Sequence, residues 1–110
     1  MDAMRDALHP EVVFNSPAVF KPYAGRDAVM VLLQHVLEVF EDFRYTGELH
    51  GEGTHGLVFA ARVGDREIQG WDYLRLDSDG LVTELTVMIR PLSGLIAVAE
   101  AMGARIAASA

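Results

Sequence analysis

The chain has 110 residues, 51% of them hydrophobic, with no cysteine and a formal net charge of −7. That length makes one domain, residues 1–110, able to bury about two thirds of its unfolded surface. The acidic balance offers no basic stripe of the kind that tracks nucleic-acid phosphates or anionic membranes. Without cysteine there is no disulfide framework, thiolate metal site or cysteine nucleophile. No signal-peptide pattern opens the chain and no apolar run reaches about 18 residues, so the expectation is a cytoplasmic protein with no membrane and no nucleic-acid partner. Half the residues being hydrophobic is rich for so small a domain. It calls for apolar surface beyond a single core: a subunit interface, a ligand cavity, or both.

Residues 2–8 suit a short helix cut by Pro10. Val12-Val13-Phe14 reads as a strand ended by Asn15-Ser16-Pro17, and the Pro- and Gly-containing stretch 17–25 as an irregular connection. From about Arg26 to Glu41 the apolar residues Val29, Leu32, Leu33, Val36, Leu37 and Phe40 recur at helical spacing. Asp27 falls in the first turn, where negative charge complements the dipole. Four strand candidates follow. Residues 43–51 alternate through Phe43, Tyr45, Gly47 and Leu49, and residues 54–63 through Leu57, Phe59, Ala61 and Val63. Gly64-Asp65 is a two-residue hairpin signal. Residues 66–76 come next, then a turn at Asp77-Ser78-Asp79-Gly80. Residues 81–90 carry Leu81, Thr83, Leu85, Val87 and Ile89 on one face and stop at Pro91. Residues 94–107 suit a last helix with Leu95, Val98, Ala99, Met102 and Ile106 on one side. Helices set apart from an antiparallel meander predict an α+β fold.

Asp72 stands out. With period two, Ile68, Gly70, Asp72, Leu74 and Leu76 share one strand face, so one carboxyl projects from an apolar row. Such a group takes up a proton or finds a partner. Two roles fit it: a hydrogen-bond donor or acid in a pocket, or a buried acid satisfied by a neighbouring amide, Arg or Tyr. The opposite strand faces are apolar as well. Val58, Trp71, Tyr73 and Met88 fall there, which predicts a homodimer interface covering the second face.

The strings Leu8-His9-Pro10-Glu11-Val12-Val13-Phe14-Asn15-Ser16-Pro17, Tyr23-Ala24-Gly25-Arg26-Asp27-Ala28, Gly70-Trp71-Asp72-Tyr73-Leu74-Arg75-Leu76-Asp77 and Asp79-Gly80-Leu81-Val82-Thr83-Glu84-Leu85 resemble, in order and spacing, the NTF2-like superfamily. The likeness is to its SnoaL-like and ketosteroid-isomerase-like branch. It implies a cone, in which a curved antiparallel sheet wraps helices around an apolar cavity, and it implies dimers through the outer sheet face. The N-terminal helix of the family is shortened here. By the same resemblance Asp72 matches the protonated Asp of the ketosteroid-isomerase oxyanion hole, an enzyme treated as a worked example of a carboxylic acid kept neutral. The position of that family's catalytic base holds Ser16, and a supporting tyrosine of the central helix corresponds to Leu33, so steroid-isomerase chemistry is disfavoured. The aspartate that limonene-epoxide hydrolases place on the last long strand falls near Val87.

The expected cavity residues are Phe14, Ser16, Leu33, Val36, Leu37, Phe40, Tyr45, Phe59, Leu74, Leu85, Val87 and Ile89, with Asp72 as the catalytic candidate. Ser16 also suits a turn cap before Pro17. His35 reads as structural, and Glu48, His50 and His55 give only a weak metal signal, so no metal and no cofactor are expected. Three functions compete. One is a small isomerase-, cyclase- or hydratase-like enzyme acting through Asp72. Another is a module that binds a small hydrophobic molecule without turnover. The third is a structural dimerisation domain whose cavity is filled by its own side chains.

Overall fold

The protein is described here from a computed structural model over residues 2–109. A short helix α1 (Asp2–Ala7) leads into β1 (Leu8–Asn15), a two-residue β2 (Tyr23–Ala24) and the helix α2 (Arg26–Val39). Then come β3 (Glu41–Gly51), β4 (Thr54–Val63), β5 (Arg66–Leu76), β6 (Val82–Arg90) and a final helix α3 (Leu92–Ser109). The six strands form one curved sheet in the order β2-β1-β6-β5-β4-β3. The four-stranded meander is the one the alternation predicts. The sheet as a whole is mixed, because β1 lies parallel to β6.

Two departures from the sequence reading have local causes. β1 is longer than three residues and contains Pro10. That proline lacks an N–H, and it sits where the pairing of β1 with β6 is interrupted, between Leu8 and Val13. In the stretch read as irregular, Tyr23 and Ala24 pair antiparallel with Phe14 and Val13.

Bulges bend the meander. One falls between Tyr45 and Gly47, so that Tyr45 opposes Phe59 while Gly47 opposes Val58. Phe43 and Tyr45 therefore face inward, and Gly47 and Leu49 outward, where uninterrupted alternation had put all four together. Another lies between Arg75 and Leu76, whose partners on β6 are Glu84 and Val82. It turns Val82 into the core at 7% exposure, in place of Leu81 and Thr83. The Thr83 hydroxyl donates instead to the Arg75 carbonyl.

Both long helices pack on the concave side. α2 buries Val29, Met30, Leu32 and Val39, and its start is set by Gly25, whose φ of 97° an L side chain resists. Asp27 in its first turn pairs with Arg5 of α1 at 2.5 Å. The core has two parts. Val12, Phe14, Val29, Leu32 and Leu85 form one, and Phe40, Phe59, Ala61, Ile68 and Val98 the other.

Phe59 is the keystone of the second part. It is 1% exposed and stacks near Phe40 and Phe43, with centroids 5.7 and 5.1 Å away. Its ring lies over Gly70 of β5, its cross-strand partner, so closely that a Cβ there would be 2.1 Å from it. Gly70→Ala is expected to cost about 1–3 kcal/mol by displacing that ring. Urea unfolding measures this, and an unchanged midpoint would mean the ring has room to move.

Candidate functional site

The cavity follows from the strand register. On the concave face Asp72 pairs across to Leu57 on β4 and Val87 on β6. Along its own strand it has Gly70 and Leu74 two residues away on the same face. All four neighbours are apolar. The next row runs Leu74–Leu85–Phe14 towards one end, and the other runs Tyr45–Phe59–Gly70–Ile89. α2 contributes Leu33, Val36 and Leu37, and Phe40 follows it. α3 contributes Val98 and Met102. Together these walls enclose about 510 Å³.

Every residue the sequence reading assigned to the cavity borders it: Phe14, Ser16, Leu33, Val36, Leu37, Phe40, Tyr45, Phe59, Leu74, Leu85, Val87 and Ile89, with Asp72 among them. Leu37 is 46% exposed because it stands at the mouth. Other wall residues were not singled out. Leu57, Val98 and Met102 were visible as members of inward stripes. Val82 was hidden by the β5–β6 bulge, and Tyr23 by the two-residue strand that sets it beside Phe14, with ring centroids 6.4 Å apart. Tyr23 is thus a wall residue that neither periodicity nor turn chemistry announces.

Among the described residues lining the cavity Asp72 is the only charged one, and the other polar side chains there are Ser16, Tyr23 and Tyr45. Burial pushes its carboxyl from an ordinary 3.8 up to about 6, with no charged group or hydrogen bond contributing to the shift. The Tyr45 phenol is raised too, first by burial and then by the Asp72 carboxylate. Tyr45 is 58% exposed, so it stands at the rim of the cavity with Asp72 deeper in the wall. Ser16 is partly committed, since its Oγ accepts the Ala18 amide at 3.0 Å, the turn-capping role. Asn15 turns away to Glu84 and Thr86, at 3.2 and 2.9 Å.

Outside the cavity, Val58, Trp71, Tyr73 and Met88 lie on the convex face, as expected from alternation. Trp71 is 38% and Met88 62% exposed. Val58, Trp71 and Met88 border a shallow hollow of about 360 Å³ on that face. Tyr73 stacks beneath the Arg75 guanidinium at 5.7 Å. His35 sits on the flank of α2, and its Nδ1 is buried without a hydrogen bond. Arg90 reaches Gln69 at 3.1 Å, away from the cavity. At the far edge of the sheet Glu48, His50 and His55 converge.

An acid whose folded-state pKa is raised gives stability that is complete below the unfolded value and is lost as pH rises through the folded one. For Asp72 that window runs from about pH 4 to about pH 6. Asp72→Asn removes the titration. At neutral pH the variant should gain on the order of 2 kcal/mol over the parent. The gain should shrink as the pH is lowered towards 4. Paired thermal melts across that range check it, and a difference that does not vary with pH would contradict the desolvation account.

No model of a known protein family matches the chain, and no curated protein does. Solved structures do. A steroid delta-isomerase from Pseudomonas aeruginosa is 46% identical, superimposes with a TM-score of 0.94, and matches over 97% of this chain and 80% of its own. An uncharacterised bacterial protein with a cystatin-like fold from Silicibacter pomeroyi DSS-3 is 32% identical with a TM-score of 0.92, over 96% and 74% of the two chains. An NTF2-like protein of unknown function from Burkholderia xenovorans LB400 shares the fold at 15% identity, with a TM-score of 0.70 over 80% and 68%. With its curved sheet, its helices on the concave side and these relatives, the chain belongs to the NTF2-like superfamily.

Proposed function

We propose that this chain is a cytoplasmic binding protein for a small, largely hydrophobic molecule carrying one carbonyl or hydroxyl oxygen, which the Asp72 carboxyl holds by hydrogen bond in the fraction of molecules where it is protonated. The observation that carries this reading is the single desolvated acid in an otherwise apolar cavity of about 510 Å³. That volume falls within the range of about 300–1,000 Å³ used for small ligands. It also speaks against a structural domain whose hollow is filled by its own side chains.

A second reading, isomerase- or cyclase-like turnover with Asp72 as the acid, is favoured by the name of the 46% identical relative, a steroid delta-isomerase. Such a reaction needs a base as well as an acid. In the family the resemblance points to, the base position is held here by Ser16, whose hydroxyl oxygen already accepts the Ala18 amide. Binding without turnover is therefore the better-supported function. No described helix is long and apolar enough to cross a membrane.

The convex face supports a homodimer. Trp71 and Met88 are exposed beside Val58 on a sheet face where, among the described residues, no helix lines the hollow. A second copy covers an apolar face of this kind most simply, because the same patch is available on both partners. Met88→Glu places a carboxylate in that patch. Light scattering should report a dimer for the parent and a shift to monomer for the variant, and a monomeric parent would end the interface reading.

The donor role of Asp72 has a definite pH sign. Only the protonated carboxyl donates, so affinity for a neutral ketone probe should be highest below about pH 6. Above that it should fall by up to about tenfold per pH unit. Asp72→Asn keeps an N–H donor but no titration, and should bind with little pH dependence. Asp72→Leu should lose the hydrogen bond at every pH. Fluorescence titration with a hydrophobic ketone reads all three. Equal pH profiles for the parent and Asp72→Asn would remove Asp72 from the site.

A further inference from the structure

The tip of the β3–β4 hairpin gathers two imidazoles and a carboxylate. His50 and His55 are direct cross-strand partners, and Glu48 lies two residues before His50 on the same strand face. His50 Nε2 is 2.6 Å and His55 Nε2 2.9 Å from one oxygen, Glu48 Oε1, and the two rings stand 4.1 Å apart. One donor atom from each residue lies within 4.8 Å of the others.

The backbone under these side chains is fixed. β3 and β4 pair continuously from Gly47 to Gly51, and the turn is tied to β5 by the Leu76 amide donating to the Gly53 carbonyl at 3.0 Å. The side chains above it are free to adjust, since His50 is 67% and Glu48 52% exposed. Tetrahedral ligands each about 2.05 Å from a zinc ion stand about 3.3 Å apart. The two separations from Glu48 need to open by less than 1 Å, and the His50 and His55 donor atoms, within 4.8 Å of each other, to close by up to about 1.5 Å, movements within the reach of exposed side chains.

We propose that Glu48, His50 and His55 form a site for a borderline divalent transition metal, with Zn²⁺ as the reference ion. Two imidazole nitrogens and one carboxylate oxygen suit zinc, copper or nickel, and they disfavour calcium and magnesium, which take oxygen ligands. Three protein ligands leave a fourth position for water or an incoming group. Leu57 lies between Glu48 and Asp72 in one cross-strand row, which puts the site about 10 Å from Asp72, two strand spacings away. The proposal stands on the hairpin alone and does not depend on the cavity reading.

The test is calorimetric titration of ZnCl₂ into the untagged full chain, followed by NMR of the histidine rings. Saturation at one equivalent is expected, with the His50 and His55 ring resonances moving and those of His9 and His35 staying in place. His50→Ala and His55→Ala should each weaken binding at least tenfold, with the fold intact by circular dichroism. Asp72→Asn should leave zinc binding unchanged. Absence of saturable binding below about 1 mM would overturn the site and leave a plain hydrogen-bonded cluster. So would parental affinity retained in either histidine variant, or shifts at His9 or His35.

Discussion

The desolvation of one carboxyl organises the concave face of this protein. Asp72 has Leu57 and Val87 beside it across the sheet, and Gly70 and Leu74 along its strand. Among the described residues lining the cavity there is no positive charge to offset the loss of water. A carboxylate in such a setting is costly, and the remedy open to it is a proton. The protein keeps this destabilising group at the wall of an open hollow, where an apolar residue of similar size would pack more simply. That trade is typical of a site kept for binding or chemistry.

The hollow depends on how the sheet curves. Bulges between Tyr45 and Gly47 and between Arg75 and Leu76 re-aim the strands around α2 and α3. The aromatic group Phe40, Phe43, Tyr45 and Phe59 closes one end of the enclosure, with centroids 5.0–6.0 Å apart along its contacts. Gly70 makes that possible. Without a side chain it leaves room for the Phe59 ring between the sheet and the helices, and the same strand then carries Asp72 one step further along. Packing and site geometry are thus set by neighbouring residues of β5.

The two faces of the meander divide the remaining work. The concave face holds the cavity and, beyond its rim, the Glu48–His50–His55 cluster on the edge strand. The convex face holds Trp71 and Met88 in an apolar patch. Alternation at period two lets a single strand such as β5 serve both. Asp72 and Leu74 look inward, while Trp71 and Tyr73 look outward.

Much of this was legible in the order of residues. The period of the apolar positions determined the helix read over residues 26–41, which ends at Val39 in the structure, the four meander strands, the inward row containing Asp72 and the outward set with Trp71 and Met88. These follow from local geometry, since a strand must alternate and a helix must repeat near 3.6. Tertiary structure alone decided three other things. The parallel pairing of β1 with β6 joins residues some 70 positions apart in the chain, and nothing local encodes it. The bulges that turn Val82 inward and Leu49 outward arise where pairing partners fall out of step, so they belong to two strands at once. The convergence of Glu48, His50 and His55 on one oxygen needs the cross-strand register of a folded hairpin, because spacing along the chain cannot bring both rings to the same carboxylate.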